Sequence, residues 1–255
     1  MSDFRRIALA LLVGAVFVPA PPVVAQTAPD VDAVLDHLDD LYRASSSHAV
    51  MTMRVERARG TRELTLESWS RGMDDALIVI RAPAREEGTA TLMTDDGLWN
   101  YAPRADRLIR IPSGLLSESW MGSHFTNDDL LRETSYREDY SAEADWVDEG
   151  DERALRITLT PRPEAPVVYT RVEFWLDERW VPSRTDYFDG DDLVRTMRYS
   201  DVAEVSGRLL PLTLTVIPTD TPSERTVVIY HTLELDVDVE GDLFTRRGLR
   251  RVARG

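Results

Sequence analysis

Few side chains in this sequence could perform chemistry, because it contains four histidines and no cysteine. Without cysteine, the chain has no thiol nucleophile and no thiolate metal ligand. It also lacks a G-x-S-x-G nucleophile elbow, a phosphate-binding loop and a dinucleotide-binding glycine turn. The histidines lack metal-ligand spacing: His37, His48, His124 and His231. Ser123 and His124 pair a hydroxyl with a base, but adjacent residues of a strand or helix point apart. The sequence therefore predicts no enzyme, no cofactor and no bound metal.

The acidic run from Asp186 to Asp192 has two interpretations. Its carboxylates could surround a calcium ion, which prefers oxygen ligands. The spacing does not match an EF-hand loop, however, and Asp189-Gly190 between two strands is typical of a hairpin. The pattern favours the hairpin.

The first 25 residues are typical of a secretory signal peptide. Arg5 and Arg6 precede an apolar run from Ile7 to Val18, and Val23–Ala25 resembles a small-residue cleavage site. The apolar run is too short for a good membrane span. We therefore expect residues 1–25 to be removed and residues 26–255 to be released as one soluble domain.

The charge of the chain limits its partners. Its formal net charge is −15 over 255 residues. This acidity argues against nucleic-acid binding and against docking on anionic lipid headgroups through surface charge.

The hydrophobic pattern predicts one helix followed by a large antiparallel sheet. Apolar residues recur every three or four positions from Val31 to Tyr42, which indicates an amphipathic helix. From Ala49 onward, about a dozen segments with strand character are separated by turn residues. His231 lies among the aliphatic residues of one such strand, and we interpret it as a core or cavity histidine. A sheet of this size must close or cover its inner face, so we expect a curved sheet with helices over its concave side.

The segment after Pro112-Ser113-Gly114 could form such a cover. Its apolar residues have the spacing of a short helix that ends at Gly122: Leu115, Leu116, Trp120 and Met121. This predicted lid helix has two interpretations. It could be a mobile cover over a cavity, or it could cap a core that has no cavity. Tryptophan and methionine suit a surface that repacks around variable apolar ligands, which favours the cover.

The order of elements resembles the periplasmic lipoprotein-carrier superfamily typified by LolA and LolB, and within it the outer-membrane lipoprotein-sorting proteins. Several matching features carry this resemblance: the signal peptide, the N-terminal helix, the motifs Ser68–Arg71 and Thr94–Tyr101, the residues Ile111–Ser113, the run Ser119–Leu130 and the pair Phe244-Thr245. The run Ser119–Leu130 is the most specific of them.

The resemblance implies a mainly β fold, a half-open antiparallel β-barrel with an N-terminal helix and a short helical lid. It also implies an apolar cavity that takes lipid acyl chains, and an arginine that holds the lid shut. The matching position is Arg71, although Arg71 could equally be an ordinary rim arginine. The residues expected to contact or cover the cargo, beside Arg71, are Trp69, Trp99, Tyr101, Leu115, Leu116, Trp120 and Met121.

Three functions follow as hypotheses. The first is a monomeric periplasmic carrier that binds lipoprotein acyl chains or lipid and passes them toward the outer membrane. The resemblance implies that such a carrier works with an inner-membrane exporter of the resistance-nodulation or ABC type. The second is a periplasmic sensor or accessory protein that uses the same fold to bind a protein. The third is a hydrolase or lyase that acts on an apolar substrate.

Overall fold

The computed structural model describes residues 29–42, 44–72, 74–130, 136–150, 152–165 and 167–254. The predicted signal peptide, residues 1–25, lies outside these ranges. Helix α1 (Val31–Tyr42) opens the described part, and α2 (Tyr136–Asp139) and α3 (Arg246–Ala253) follow later in the chain. No helix in the described ranges is both long and apolar enough to cross a membrane.

Thirteen strands form a single antiparallel sheet. They are β1 (Ser46–Arg57), β2 (Gly60–Arg71), β3 (Asp75–Ala82), β4 (Ala90–Thr94), β5 (Gly97–Ala102), β6 (Arg107–Arg110), β7 (Tyr140–Glu149), β8 (Glu152–Pro161), β9 (Arg171–Leu176), β10 (Pro182–Asp189), β11 (Asp192–Val205), β12 (Arg208–Pro218) and β13 (Arg225–Leu235). In the described residues, each strand pairs with the strands before and after it in sequence, with two exceptions. Strand β1 also pairs with β13, and β6 and β7 do not pair with each other. The sheet therefore has two edges, β6 and β7, and does not close.

The inner face of the sheet is covered by α1 at one side. Val34, Leu35, Leu38 and Leu41 are buried against the inward side chains of β7 to β12. These positions follow the helical period, so the amphipathic stripe of α1 alone accounts for its docking. A second core lies on the same face over β1, β2 and β3, beneath the segment that contains Trp120.

The outer face is covered by α3 at the β3–β5 end of the sheet. Leu249 and Ala253 of this helix, together with Phe244, are buried against Leu77 and Val79 of β3. Thr245 caps the helix, because its hydroxyl accepts a hydrogen bond from the Gly248 amide at 2.9 Å. The two faces of β3 thus belong to different cores, as the two-residue period of a strand requires.

The predicted architecture is confirmed: the protein is mainly β, with an open antiparallel sheet and an N-terminal helix at Val31–Tyr42. The acidic run also forms the predicted hairpin, with Gly190 at a φ of 59° in the turn between β10 and β11. Among the described residues, no group of three or more acidic or histidine side chains could hold a metal ion. The helix α3 was not predicted from the sequence.

The interpretation of His231 as a core or cavity residue is wrong. Val50 pairs with Thr232 and Met51 pairs with Tyr230, so His231 is the extra residue of a β-bulge. Its side chain is exposed and lies 2.8 Å from the hydroxyl of Thr52. Beyond the bulge, the opposite set of alternate side chains of β13 points inward. The sequence pattern does not reveal this change.

We predict that Leu38→Ala lowers the free energy of unfolding by about 2–5 kcal/mol, because it leaves a cavity between α1 and the sheet. Leu38 has no exposed surface, whereas Leu209 is 37% exposed. The control, Leu209→Ala, should cost less than about 1 kcal/mol. Urea denaturation measures both values, and equal losses would contradict the packing of α1 described above.

Candidate functional site

A half-open cavity of about 300 Å³ separates the two cores of the inner face. Its wall is mainly apolar. The inward side chains of β1, β2, β3, β11, β12 and β13 contribute Met51, Leu66, Ser68, Ser70, Ala76, Ile78, Met197, Tyr199, Leu214, Val228 and Tyr230, and the covering segment contributes Trp120, Phe125, Asp129 and Leu130. The inner face is therefore not packed solid, and the cover lies over a space of ligand size.

The cover is an irregular segment, residues 112–130, which we call the flap. The predicted lid helix is present only as short 3-10 turns at Ser113–Leu115 and Trp120–Gly122, and a third turn follows at Asp128–Leu130. A continuous helix is broken at Met121, whose φ is 50°, and at Gly122, whose φ is 69°. Both values lie in the left-handed region, where glycine is favoured.

Side chains within the flap add to its backbone hydrogen bonds, which include those from the Trp120 amide to the Phe125 carbonyl at 2.8 Å and from the Asn127 amide to the Glu118 carbonyl at 3.0 Å. The Asn127 side-chain amide donates to the carbonyls of Leu115 and Glu118 at 3.0 and 3.2 Å. The Ser123 hydroxyl donates to the Trp120 carbonyl at 2.7 Å. Both Asn127 and Ser123 are buried. The flap therefore has a defined conformation that depends on a few polar side chains.

Two aromatic residues fix the flap to the inner face. Trp120 is only 4% exposed, and its indole N–H donates to the hydroxyl of Thr91 on β4 at 3.0 Å. Phe125 packs against both cores of the inner face. These side chains form the roof of the cavity, and their removal would open the space between the cores to water.

A buried ion pair ties the far end of the flap to β11. The Arg195 guanidinium donates to both carboxylate oxygens of Asp129, at 2.7 and 2.5 Å. The side chains are only 6% and 8% exposed. Burial alone would lower the pKa of Arg195, but the hydrogen bonds to Asp129 outweigh it and raise that pKa. Arg195 therefore stays charged, and its guanidinium also lies 4.2 Å from the ring centroid of Tyr187 and 4.9 Å from that of Tyr169.

Two further arginines hold the middle of the flap through its backbone. Arg62 of β2 donates to the Met121 carbonyl at 2.5 Å and forms an ion pair with Glu86. Arg57 of β1 donates to the Gly122 carbonyl at 3.2 Å. The left-handed turn at residues 121 and 122 directs both carbonyls toward these guanidiniums. The flap is thus anchored to β1, β2, β4 and β11.

His124 forms another contact of the flap, and it is not paired with Ser123. Its Nδ1 lies 2.9 Å from the Thr226 hydroxyl, and its Nε2 lies 3.5 Å from a carboxylate oxygen of Glu224. Burial, assisted by the charge of Arg57, lowers the pKa of His124. Since Ser123 bonds to the flap backbone, the geometry assigns both residues a structural contact in this conformation.

The structure divides the eight predicted site residues between the two faces of the sheet. Trp120 lines the cavity, and Met121 packs against the core beneath the flap. Leu115 and Leu116 belong to the flap, where Leu115 is 46% exposed and Leu116 is half-buried. The outer face holds the other four: Trp69, Arg71, Trp99 and Tyr101.

These four side chains lie around α3 and its preceding segment. Trp69 contributes to one edge of the cavity wall, but its ring stacks on His48 at 5.5 Å. Tyr101 is buried in the α3 core, and Trp99 packs against the same core. Arg71 forms an ion pair with Asp75 and lies 5.2 Å from the ring centroid of Phe244. Arg71 is thus on the face opposite the flap and does not contact it. Arg195, in contrast, lies on the inner face and binds Asp129 of the flap.

Sequence reasoning missed Arg195 and Asp129. A signal for Arg195 was present, because it shares the inward phase of β11 with Met197 and Tyr199. A charged residue at an apolar position of a strand requires a partner, since an unpaired buried charge is costly.

The comparisons with known proteins agree with this architecture. A family model with the description "-like: Uncharacterized protein" matches residues 72–251, more than two thirds of the chain. The chain belongs to this family. A comparison with curated proteins found no match.

Three solved structures show the same fold as this family member. A domain described as an outer membrane lipoprotein-sorting protein domain, from Vibrio parahaemolyticus, is 20% identical, with a TM-score of 0.76 over 87% of this chain and 98% of that chain. A DUF1329 family protein from Desulfovibrio piger is 22% identical, with a TM-score of 0.77 over 86% and 98%. A LolA superfamily protein from Nitrosomonas europaea is 22% identical, with a TM-score of 0.69 over 84% and 97%. The predicted LolA-like fold is confirmed.

We predict that Arg195→Met lowers the free energy of unfolding by about 3–5 kcal/mol, because it leaves the Asp129 carboxylate buried without its partner. Hydrogen exchange of residues 119–130 should become faster in this variant. The control is Arg225→Met, which removes an ion pair with Glu56 in which Arg225 is 54% exposed. It should cost no more than about 1 kcal/mol. The double variant with Asp129→Leu should recover most of the loss, and no difference between Arg195→Met and the control would contradict this anchor.

We also predict that two histidines titrate on opposite sides of the ordinary value of 6.5. Burial lowers the pKa of His124, whereas hydrogen bonds to Glu234 and Glu67 outweigh burial and raise the pKa of His48. Neutral His124 therefore contributes stability that is present above pH 6.5 and is lost as the pH falls through its own lower pKa. NMR titration of the ring protons, assigned with His124→Gln and His48→Gln, measures both. A His124 pKa above that of His48 would refute the buried environment of the flap histidine.

Proposed function

We propose that this protein is a periplasmic carrier that binds the hydrocarbon chain of a lipid or lipoprotein in the cavity beneath the flap. The observation that supports this proposal is the half-open apolar cavity between two separately packed cores, roofed by Trp120 and Phe125. A hydrolase or lyase that acts on an apolar substrate would need a nucleophile or an acid–base pair. Here Ser123 and His124 bond to structural partners instead, which favours binding over catalysis.

The size and lining of the cavity suit a single flexible hydrocarbon chain. Ligand pockets usually measure roughly 300–1,000 Å³, and this one lies at the lower end of that range. Each methylene group that leaves water contributes about 0.8 kcal/mol, so a chain of modest length already binds well. Among the described residues of the wall, only Asp129 is charged, and it is bound by Arg195. We therefore propose that the cavity recognises the hydrocarbon and leaves the polar headgroup at the opening.

The anchors of the flap provide a route for loading and release. Opening would break the ion pair between Arg195 and Asp129 and remove Trp120 from Thr91. Charges that separate into water regain hydration, so this step costs less than the close distances alone would indicate. A cargo or partner that binds the open form better would shift the equilibrium toward it. We propose that an inner-membrane exporter of the resistance-nodulation or ABC type is such a partner, on the strength of the family resemblance.

We predict that Ala76→Trp weakens binding of a fluorescent fatty-acid probe by about tenfold or more, because the indole occupies space equal to at least two methylene groups. Ala76 lies in the cavity wall on β3. The control is Ala58→Trp, in the exposed turn between β1 and β2. It adds the same side chain outside the cavity and should leave the affinity unchanged.

Native mass spectrometry of protein purified from its own periplasm should show a bound lipid in the parent protein and in the Ala58→Trp variant. The Ala76→Trp variant should carry less of it. Equal probe affinity in the two variants, with no lipid bound to either, would refute the carrier function and favour a protein-binding role.

A further inference from the structure

Two segments of this acidic protein are strongly basic. The residues 103–111 and 246–254 contain eight arginines and a single carboxylate, that of Asp106. The whole chain, in contrast, has a formal charge of −15. The arginines are Arg104, Arg107, Arg110, Arg246, Arg247, Arg250, Arg251 and Arg254. Such a local reversal of sign defines a surface with its own electrostatics.

The docking of α3 brings these segments together at one corner of the sheet. Arg250 and Arg254 both reach the same carboxylate oxygen of Asp106, at 3.2 and 3.0 Å. Arg104 donates to the carbonyl of Arg85 at 3.0 Å. A hydrogen bond from Tyr101, together with Arg254 and Arg250, lowers the pKa of Asp106. Arg85 forms an ion pair with Glu86, which also binds Arg62, and Asp106 is shared between Arg250 and Arg254. The arginines of the corner still outnumber the carboxylates that pair with them.

The close approach of the segments depends on a glycine. Gly88 has a φ of 78°, and a Cβ at this position would lie 2.4 Å from the Ala253 carbonyl oxygen and 3.4 Å from Pro103 Cβ. The loop before β4, the turn before β6 and the end of α3 therefore meet in direct contact. The basic corner is part of the packed structure, because each of its segments is held by the others.

The corner is exposed and lies at an edge of the sheet. The side chains of Arg85, Arg104, Arg107 and Arg254 are exposed. Between Arg107 and Arg110, Ile109 is 52% exposed, more than any other large hydrophobic residue in the described ranges. Strand β6 pairs only with β5. Leu108 pairs with Tyr101 and packs in the core beneath α3, so Arg107 and Ile109 point to the other side of this edge strand. A membrane that meets the edge of the sheet would contact guanidiniums from both sides of β6 together with a protruding aliphatic side chain, a combination that favours a membrane surface.

We propose that this arginine corner, formed by Arg85, Arg104, Arg107, Ile109, Arg250 and Arg254, docks on the anionic headgroup surface of a membrane. Guanidiniums match phosphate oxygens as paired donors. The negative charge elsewhere on the protein is screened beyond a Debye length of about 8 Å at physiological salt, so the local sign decides the contact. This corner would be an exception to the expectation from net charge that the protein avoids anionic headgroups.

The location of the corner also gives the docking a consequence for the flap. The flap begins at Pro112, directly after β6 ends at Arg110. A membrane that contacts β6 would therefore lie beside the first residues of the flap. Docking by the corner does not require the cavity to hold cargo, so the two proposals can fail separately.

The test is sedimentation of the folded protein with vesicles of phosphatidylcholine alone or of phosphatidylcholine mixed with phosphatidylglycerol. We expect binding to the anionic vesicles only, with a strong decrease at higher salt. The variant Arg104→Gln/Arg107→Gln/Arg254→Gln should bind at least about tenfold more weakly. A matched control, Arg54→Gln/Arg59→Gln/Arg225→Gln, removes the same charge at another part of the surface and should bind like the parent protein.

Equal binding to both kinds of vesicle, or no binding to either, would overturn the proposal. Equal loss of binding in the two triple variants would also overturn it. Capture by polyglutamate but not by anionic vesicles would assign the corner to an acidic protein instead. Thermal unfolding of each variant establishes that it is folded. The cavity variant Ala76→Trp should still bind anionic vesicles, which separates this test from that of the carrier function.

Discussion

The ion pair between Arg195 and Asp129 is the interaction on which the closed form of the site depends. The flap has no continuous helix, and side-chain hydrogen bonds hold it on β1, β2, β4 and β11. Arg195 faces the apolar interior of the sheet, where a guanidinium without a partner would be costly. In the observed conformation, Asp129 of the flap supplies the carboxylate that pairs with Arg195 of β11. The same ion pair holds the flap on the sheet.

The two faces of the sheet use their aromatic residues differently. On the outer face, Trp69, Trp99 and Tyr101 pack in the core beneath α3, so they stabilise the fold. Arg81 of β3 lies over the ring of Trp69, and Arg246 of α3 lies over that of Trp99. On the inner face, Trp120 and Phe125 span a gap between two cores. A sheet that holds α3 firmly on one side can leave space on the other. The outer core therefore packs one side of the sheet while a cavity remains on the other.

The sequence predicted those features that depend on local pattern. It did not predict the features that depend on how strands pair, such as the face of the sheet on which a side chain lies. The period of α1 and the hairpin turn at Asp189-Gly190 are local, and both are present in the structure. The face on which Arg71 lies depends on the pairing of β2, and one bulge at His231 reverses the phase of β13. The helix α3 was hidden, because five arginines in nine residues leave only Leu249 and Ala253 to show its buried side. No local rule gives the partner of Arg195, which lies 66 residues away.

Net charge describes this chain poorly, because its charges are segregated. Acidic residues dominate the sequence as a whole, yet the segments that meet beside β6 are basic. Electrostatic forces between exposed groups act over about 8 Å at physiological salt, a distance much smaller than the protein. The residues that reach another surface first therefore decide whether the protein binds to it. Because the basic and acidic residues are separated, they also decide which side of the protein faces that surface. If the arginine corner reaches a membrane first, the flap that follows β6 meets the same surface, and cargo that leaves the cavity would emerge next to lipid.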